Sequence, residues 1–365
     1  EINRDGLCTA SFNGKGISYG HNILYYPLIK LDNKDDKTSL NVITSEIHTP
    51  VLKMERANVN FIADENHLYS TFRFRSDSTS NNSAYINAIA SFEGGRKKIN
   101  INKDSYITLK GGRWNFGDCS MLIQDGTSYL NSFSLTSNTQ SINAGGVLGM
   151  KTGTDEKRDS LYVEMNRFDL NILNSLLTKP IDFQGLVSGR AEYSDISSVP
   201  EMLLDIHADS LSIYRYPIGK IDISSSYLSD KNIYALSLIN HLEGNTKLNM
   251  KGTYDPANNY LDVGGGMHEL SASLIEPFIS SLFSDIKGNI SGEISIKGPV
   301  KNLKVESRNF RINGFNGLFN FTNARYTIDG PLRINEKEIK ANNLSISDGL
   351  GGRGTINGGA RHNLF

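Results

Sequence analysis

Gly349, Gly351 and Gly354 in GLGGRG stand at the G-x-G-x-x-G spacing that brings a peptide backbone against a dinucleotide pyrophosphate. That chemistry needs a helix to open immediately after the glycines, with its N-terminal N–H groups aimed at the phosphates. Here the strand-like TINGG follows instead, so the segment reads as a glycine turn between strands. GGVLGMKTG (145–153) resembles a phosphate loop, but Met150 separates Gly149 from Lys151 and no helix is expected after it. The seven histidines, from His21 to His362, never fall at H-x-H or H-x3-H spacing, and no metal cluster is visible. Cys8 and Cys119 lie outside any C-x-x-C spacing, which excludes a cysteine zinc site and a disulfide scaffold. They pair only if the chain lives in an oxidising compartment; two unlinked thiols is the simpler reading. A catalytic β-solenoid, such as a polysaccharide lyase or hydrolase, would gather acid and base groups on neighbouring coils. Asp195, Asp205, Asp209, Asp222 and Glu293 are available for that, but their spacing alone brings no two together. We expect no enzyme, no metal and no cofactor.

The elements that carry these residues read almost throughout as strands. KIDISSSYL (220–228), YALSLIN (234–240), TKLNMKGTY (246–254) and GEISIKG (292–298) alternate apolar with polar residues, the period of a sheet with one dry and one wet face. SDKN (229–232), LEGN (242–245), DPANN (255–259) and KGPVKN (297–302) supply turns between them. HLYSTFRFRS (67–76), KKINI and SYITLKGGRW continue the pattern in the N-terminal half, with Trp114, the sole tryptophan, expected to end a strand. KLDNKDDKTSLN (30–41) reads as a solvated loop, and GTDEKRDS (153–160) as a boundary between units.

Composition narrows the partners. Thirty-eight basic and 39 acidic side chains nearly cancel and are interspersed, so there is no sustained positive field for nucleic acid. No run approaches the roughly 18 apolar residues of a membrane-spanning helix. The chain opens EINRDG, with neither an initiator Met nor a charged-then-apolar leader, and reads as a piece of something larger. At 365 residues an array or two domains is favoured over one compact core.

A repeat supports the array. Gly185/Gly189 in FQGLVSGRAEY returns as Gly288/Gly292 in IKGNISGEISI, and both differences, 288 − 185 and 292 − 189, are 103. Each pair follows a short apolar, helix-like stretch, FDLNILNSLL (168–177) and LSASLIEPFISSLF (270–283). In the second, Ile275, Phe278, Ile279, Leu282 and Phe283 keep helical spacing and Pro277 kinks or restarts the segment. The expected segments are therefore 1–160, 161–265 and 266–365, the last two led by a short helix that lies across the groove of the curled sheet or plugs a sheet junction. At about a dozen residues per strand the chain holds roughly 25 to 30 strands, and at about 4.8 Å each a single sheet would exceed roughly 100 Å. Sheets of that size curl, split or close, and the alternating apolar face turns inward. The inward candidates are Ile221, Ile223, Leu236, Leu238, Leu248, Met250, Ile294, Ile296, Leu344, Ile346 and Ile356. They either pack on one another or line an apolar trough open to something else.

SASLIEPFISSLFSDIKGNISGEISIKGPVKNLKVESRNFRI, NARYTIDGPLRI and NNLSISDGLGGRGTINGGARHNLF resemble the TamB family, in particular its long Bacteroidetes-type members. SYITLKGGRWNFGDCSMLIQDGTSYLNSFSLTSNTQSINAGGVLG is similar to the segment that precedes this region in those proteins. The resemblance covers about residues 85–365 and its motifs are architectural. It implies an all-β fold, an elongated antiparallel β-groove (β-taco) of repeated hairpins, in a protein of the periplasm. Such proteins are anchored in the inner membrane by a helix that would lie outside this chain, and they reach an outer-membrane barrel of the Omp85 class. The groove of that family is thought to carry phospholipid acyl chains, as in AsmA-like bridge-type lipid transfer proteins, and to support outer-membrane protein assembly. On this reading the eleven aliphatics above are lipid-binding residues. A structural or adhesive extracellular β-array with a self-packed core is the alternative.

Overall fold

The computed structural model describes residues 8–34, 36–49, 53–75, 81–149, 159–174, 182–196, 199–214 and 216–361. Strands occupy 79% of the chain and helices 3%, so it is an all-β protein built from antiparallel pairs. It forms two compact units, Glu1–Ser198 and Val199–Phe365.

In the first unit the strands are β1 (Cys8–Asn13), β2 (Gly16–Tyr19), β3 (Asn22–Tyr25), β4 (Leu28–Lys34), β5 (Lys37–His48), β6 (Lys53–Asp64), β7 (His67–Arg75), β8 (Ser83–Glu93), β9 (Arg96–Ile101), β10 (Tyr106–Leu109), β11 (Gly112–Phe116), β12 (Cys119–Gln124), β13 (Thr127–Ser137), β14 (Gln140–Leu148), β15 (Asp159–Asp169) and β16 (Phe183–Ile196), with helix α1 (Asn171–Asn174) before β16. The connectivity is a plain meander once four broken strands are recognised. β9 and β10 both pair with β8, Ala88 with Ile101 and Tyr85 with Tyr106, so they are one strand interrupted at Asn102–Ser105. Ser105 fills the break, its Oγ accepting the Asn87 N–H at 2.9 Å. β11 and β12 likewise run as one strand against β10 and β9, as β3–β4 does against β5 and β1–β2 against β4 and β3.

Two expectations fail here. The charged 30–41 stretch is a hairpin, with Lys30 paired to Asn41 and Lys34 to Lys37; its alternation was hidden because both faces carry polar side chains. Trp114 lies inside β11, since Lys110–Gly111 is the hairpin turn that the lysine and glycines encode.

The second unit runs β17 (Val199–Ile213), β18 (Tyr216–Leu228), β19 (Ile233–Leu242), β20 (Asn245–Asp255), β21 (Tyr260–Ser271), a 3₁₀ turn (Ala272–Ile275), α2 (Glu276–Ile279), β22 (Phe283–Pro299), β23 (Lys304–Phe319), β24 (Ala324–Ile334), β25 (Glu338–Asp348) and β26 (Arg353–Arg361). Each strand pairs with the next in sequence. All four turns expected between 229 and 302 close these hairpins. GLGGRG closes β25 to β26, the Asp348 carboxylate accepting the Leu350 and Gly352 N–H groups at 2.9 and 2.7 Å.

Both expected helices are shorter than their apolar stretches. Phe168 and Asp169 finish β15, and 175–177 fall outside the described residues. Leu270 and Ser271 finish β21, while Phe283 opens β22. Pro277 stands in the first turn of α2, where its missing N–H costs nothing. Each helix seals a cluster in its own unit. Ile172 packs with Trp114, Phe116, Cys119 and Leu135; Ala272 packs with Ile286, Ile290, Phe310 and Phe315, flanked by Ile275 and Ile279. The proposed boundary at 153–160 lies outside the described residues up to 158.

Candidate functional site

Cross-strand register decides which side chains share a face, because directly paired residues project to the same side. In the second unit Ile206, Ile223, Leu238, Met250, Gly265, Ile294 and Ser307 are paired in succession across seven strands. Ala208, Ile221, Asn240, Leu248 and Met267 form the row beside it, and Ser225, Leu236, Gly252, Val263, Ile296 and Val305 the row on the other side. Beyond β23 the same face continues through Phe315, Ile328 and Ile346, with Leu344 opposite Ile356. All eleven sequence candidates therefore lie on one face of one sheet.

That face is not sealed. Of the eleven, Leu344 alone is fully buried, at 5% exposure; the other ten remain partly open. A sheet packed on its own second layer would hide them. Polar groups border the strip: Tyr227, Tyr234 and Tyr254 stand in register at one end, with ring centroids 5.2 and 6.2 Å apart. The Tyr227 and Tyr254 hydroxyls donate to turn residues Asn232 and Asn259 at 3.0 and 2.9 Å. From Tyr234 to Asn240 at the other end is six residues, about 20 Å of strand.

The glycine repeat is a device for keeping this face continuous through β-bulges. At Met267–Leu270, Glu269 adopts φ 48° and its N–H is donated to Ser291 Oγ at 3.0 Å, while Gly292 stands opposite Met267. Arg167 does the same between Met165 and Phe168, with Ser188 and Gly189. Asn343 repeats it between Ala341 and Leu344, with Asn357 and Gly358. A bulge adds one residue, so apolar groups three apart point the same way and the strand bends. Glycine is required opposite: a Cβ on Gly292 would come within 2.6 Å of the Phe310 Cα.

The helices are pinned to the sheet by single side chains that take N–H groups at matching repeat positions. Asn174 takes the Phe183 N–H at 2.9 Å and donates to its carbonyl at 2.8 Å. Glu276, 8% exposed, accepts the Ile286 N–H at 2.9 Å.

Sequence reasoning missed the corresponding face of the first unit. Phe12, Ile29, Val42, Val59, Phe72 and Ile86 are paired in one row across β1, β4, β5, β6, β7 and β8. Alternation within each strand was the available signal, blurred where apolar residues are adjacent, as in NFIA.

The opposite face carries a group that only register could reveal. His207 bridges two of the carboxylates considered above, Nδ1 lying 2.6 Å from Asp222 and Nε2 3.1 Å from Asp205. The Asp222 hydrogen bond raises its pKa above the ordinary 6.5, burial opposing and Asp205 assisting. This is a solvated ion-pair group; His207 is 48% exposed. Among the described residues Asp209 and Glu293 join no such group, and Asp195 pairs through its backbone with Asp159. Cys8 and Cys119 are free thiols. Burial, with Asp118 adding, pushes the Cys119 thiol up, against a hydrogen bond to the Ser134 backbone. Among the described residues no three His, Cys, Asp or Glu are placed to hold a metal, and no helix is long and apolar enough to cross a membrane. Comparison with protein-family models, curated proteins and solved structures finds no match.

Proposed function

We propose that this chain is a TamB-like, non-enzymatic lipid conduit that shields phospholipid acyl chains between the inner and outer membranes. The observation that supports it is the single, partly open aliphatic face running in register from β17 to β26. Each methylene kept from water contributes about 0.8 kcal/mol, so such a strip holds hydrocarbon while head groups stay wet. Rows of similar aliphatics offer successive sites of similar affinity, and no deep trap halts passage. On this reading the protein works in the periplasm, with an inner-membrane anchor outside this chain and an Omp85-class barrel as outer-membrane partner. Nascent outer-membrane strands are a second class of client for the same face.

The test is lipid extraction and mass spectrometry of protein purified under mild conditions, paired with a photocrosslinker at position 238 in cells. Co-purified phospholipid crosslinked at 238 is expected. Lipid-free protein with no crosslink would refute the conduit and leave the adhesive β-array.

A further inference from the structure

Three polar side chains stand in the aliphatic rows: Ser225 and Ser307 accept the Leu204 and Ile334 N–H groups, whereas the third, Asn240, is only half paired. Asn240 is 2% exposed, paired on either side with Ile221 and Leu248 and two residues along β19 from Leu238. Its Nδ2 is fully used, donating to the Ile218 carbonyl at 2.7 Å and the Lys220 carbonyl at 3.0 Å. Those bonds fix the amide orientation, because a flipped amide would set oxygen against two carbonyl oxygens. Oδ1 is thereby directed away from them, and it is the one buried side-chain N or O without a hydrogen-bond partner among the described residues. Leaving a buried acceptor unpaired is costly, so the position demands a donor. A single water placed there would gain this one unpaired side-chain group, short of the roughly three partners a buried water normally has. Ile221 and Leu248, its cross-strand neighbours, and Leu238 along the strand are only half-buried.

We propose that Asn240 Oδ1 is a polar station that accepts a hydrogen bond from an amphiphile carrying an N–H or O–H donor next to its acyl chains. The station rests on the lipid reading above and adds selectivity to it. A phosphate oxygen cannot serve, being itself an acceptor. A primary ammonium or a glycerol hydroxyl can, and a trimethylammonium cannot. Asn240 lies two residues from the end of β19, near the border of the strip, so a head group can meet it when the half-buried Ile221 or Leu248 side chain swings aside, while the tails cross Leu238 and Leu236.

The experiment presents the protein with mixed vesicles of identical acyl chains and quantifies what it extracts. The lipids are phosphatidylethanolamine, its N-methyl and N,N-dimethyl derivatives, phosphatidylcholine and phosphatidylglycerol. Roughly five-fold enrichment over phosphatidylcholine is expected for every lipid that keeps a donor, with the drop at loss of the last N–H. Retention of the ethanolamine series alone assigns the donor to ammonium, and of phosphatidylglycerol alone to hydroxyl; either supports the station. Asn240→Leu, with its fold checked by circular dichroism, should bind all five equally. Equal uptake by the wild type, as an ordered water at Oδ1 would give, overturns the station but leaves the conduit. Enrichment that survives in folded Asn240→Leu also overturns it. No phospholipid uptake overturns both, and the methylation series reads the wild type even if the variant fails to fold.

Discussion

Leu238→Asp tests whether the aliphatic face contacts hydrocarbon or only its own side chains. Leu238 is paired with Ile223 and Met250 and is half-buried, whereas its neighbour Ser237 projects to the other face opposite Ser224 and Lys251. Full burial of a leucine is worth about 1.5–3 kcal/mol, so losing a half-buried one costs about 1 kcal/mol. A unit with about 5–15 kcal/mol of stability survives that. The carboxylate also keeps its own water on so open a surface, which spares the fold the penalty of a buried charge. An occupying acyl chain has no such escape. If the hydrated carboxylate returns about two methylenes to water, binding weakens by about 1.6 kcal/mol, or about 15-fold in Kd. Titration of a fluorescent phospholipid, with a thermal melt of each variant, measures both quantities. Ser237→Asp, which gains Lys251 as a cross-strand partner, should bind like the wild type. Unchanged binding by a folded Leu238→Asp, or equal loss in both variants, would refute the assignment of the face.

Other outcomes follow from individual contacts. By NMR, His207 should titrate above 6.5, and Asp222→Asn should move it back towards that value. Because the folded pKa is raised, the pair's contribution is complete below about pH 6.5 and fades as pH climbs through the folded value. The melting-temperature gap between wild type and His207→Asn should therefore narrow on going from pH 6 to pH 9. Cys119, buried and with its thiol pKa raised, should react with iodoacetamide at neutral pH more than ten-fold slower than in the unfolded chain. Gly292→Ala should destabilise by about 2 kcal/mol or more, since φ is 149° and its Cβ meets backbone. Gly266→Ala, with its nearest neighbour at 4.0 Å, should be neutral or slightly stabilising in the same melts. Glu276→Ala should cost about 1–3 kcal/mol by orphaning the buried Ile286 N–H, and Glu276→Gln, which keeps an acceptor, clearly less.

What could be read from the residues was what a single strand encodes. Ile221 and Ile223, or Ile294 and Ile296, announce a common face because their spacing is two and polar groups separate them. Turn residues fixed the hairpins from 229 to 302 for the same local reason. Register is not local. It decides that Ile223 meets Leu238, that Asn240 intrudes between Ile221 and Leu248, and that His207 reaches Asp222. No spacing along one strand contains that information. The helices were overestimated for a related reason: Phe168 and Leu270 continue the apolar pattern as the far sides of bulges, and a bulge imitates helical i, i+3 spacing.

The two latches show what the repeat preserves. Phe183 and Ile286 occupy the same repeat position, since 286 − 183 is 103, yet their N–H groups are taken by an asparagine in one unit and a glutamate in the other. The glycines at the joint cannot vary in that way. Gly288 has φ 103°, and a Cβ there would stand 2.3 Å from the Gly314 carbonyl oxygen. Any side chain with an acceptor can hold a helix against the sheet, but only an absent side chain lets two bulged strands approach. Sequence identity between the two copies therefore falls on the glycines that make room and on Ser188 and Ser291, which take the bulge N–H groups, while the side chains that latch the helices drift. The aliphatic face obeys the same rule, because hydrocarbon contact requires volume and apolarity and leaves the choice among Ile, Leu, Met and Val open. A sheet built this way can lengthen by whole repeats without a new design at each step, provided every added unit brings its own bulge, its own glycine and its own latch.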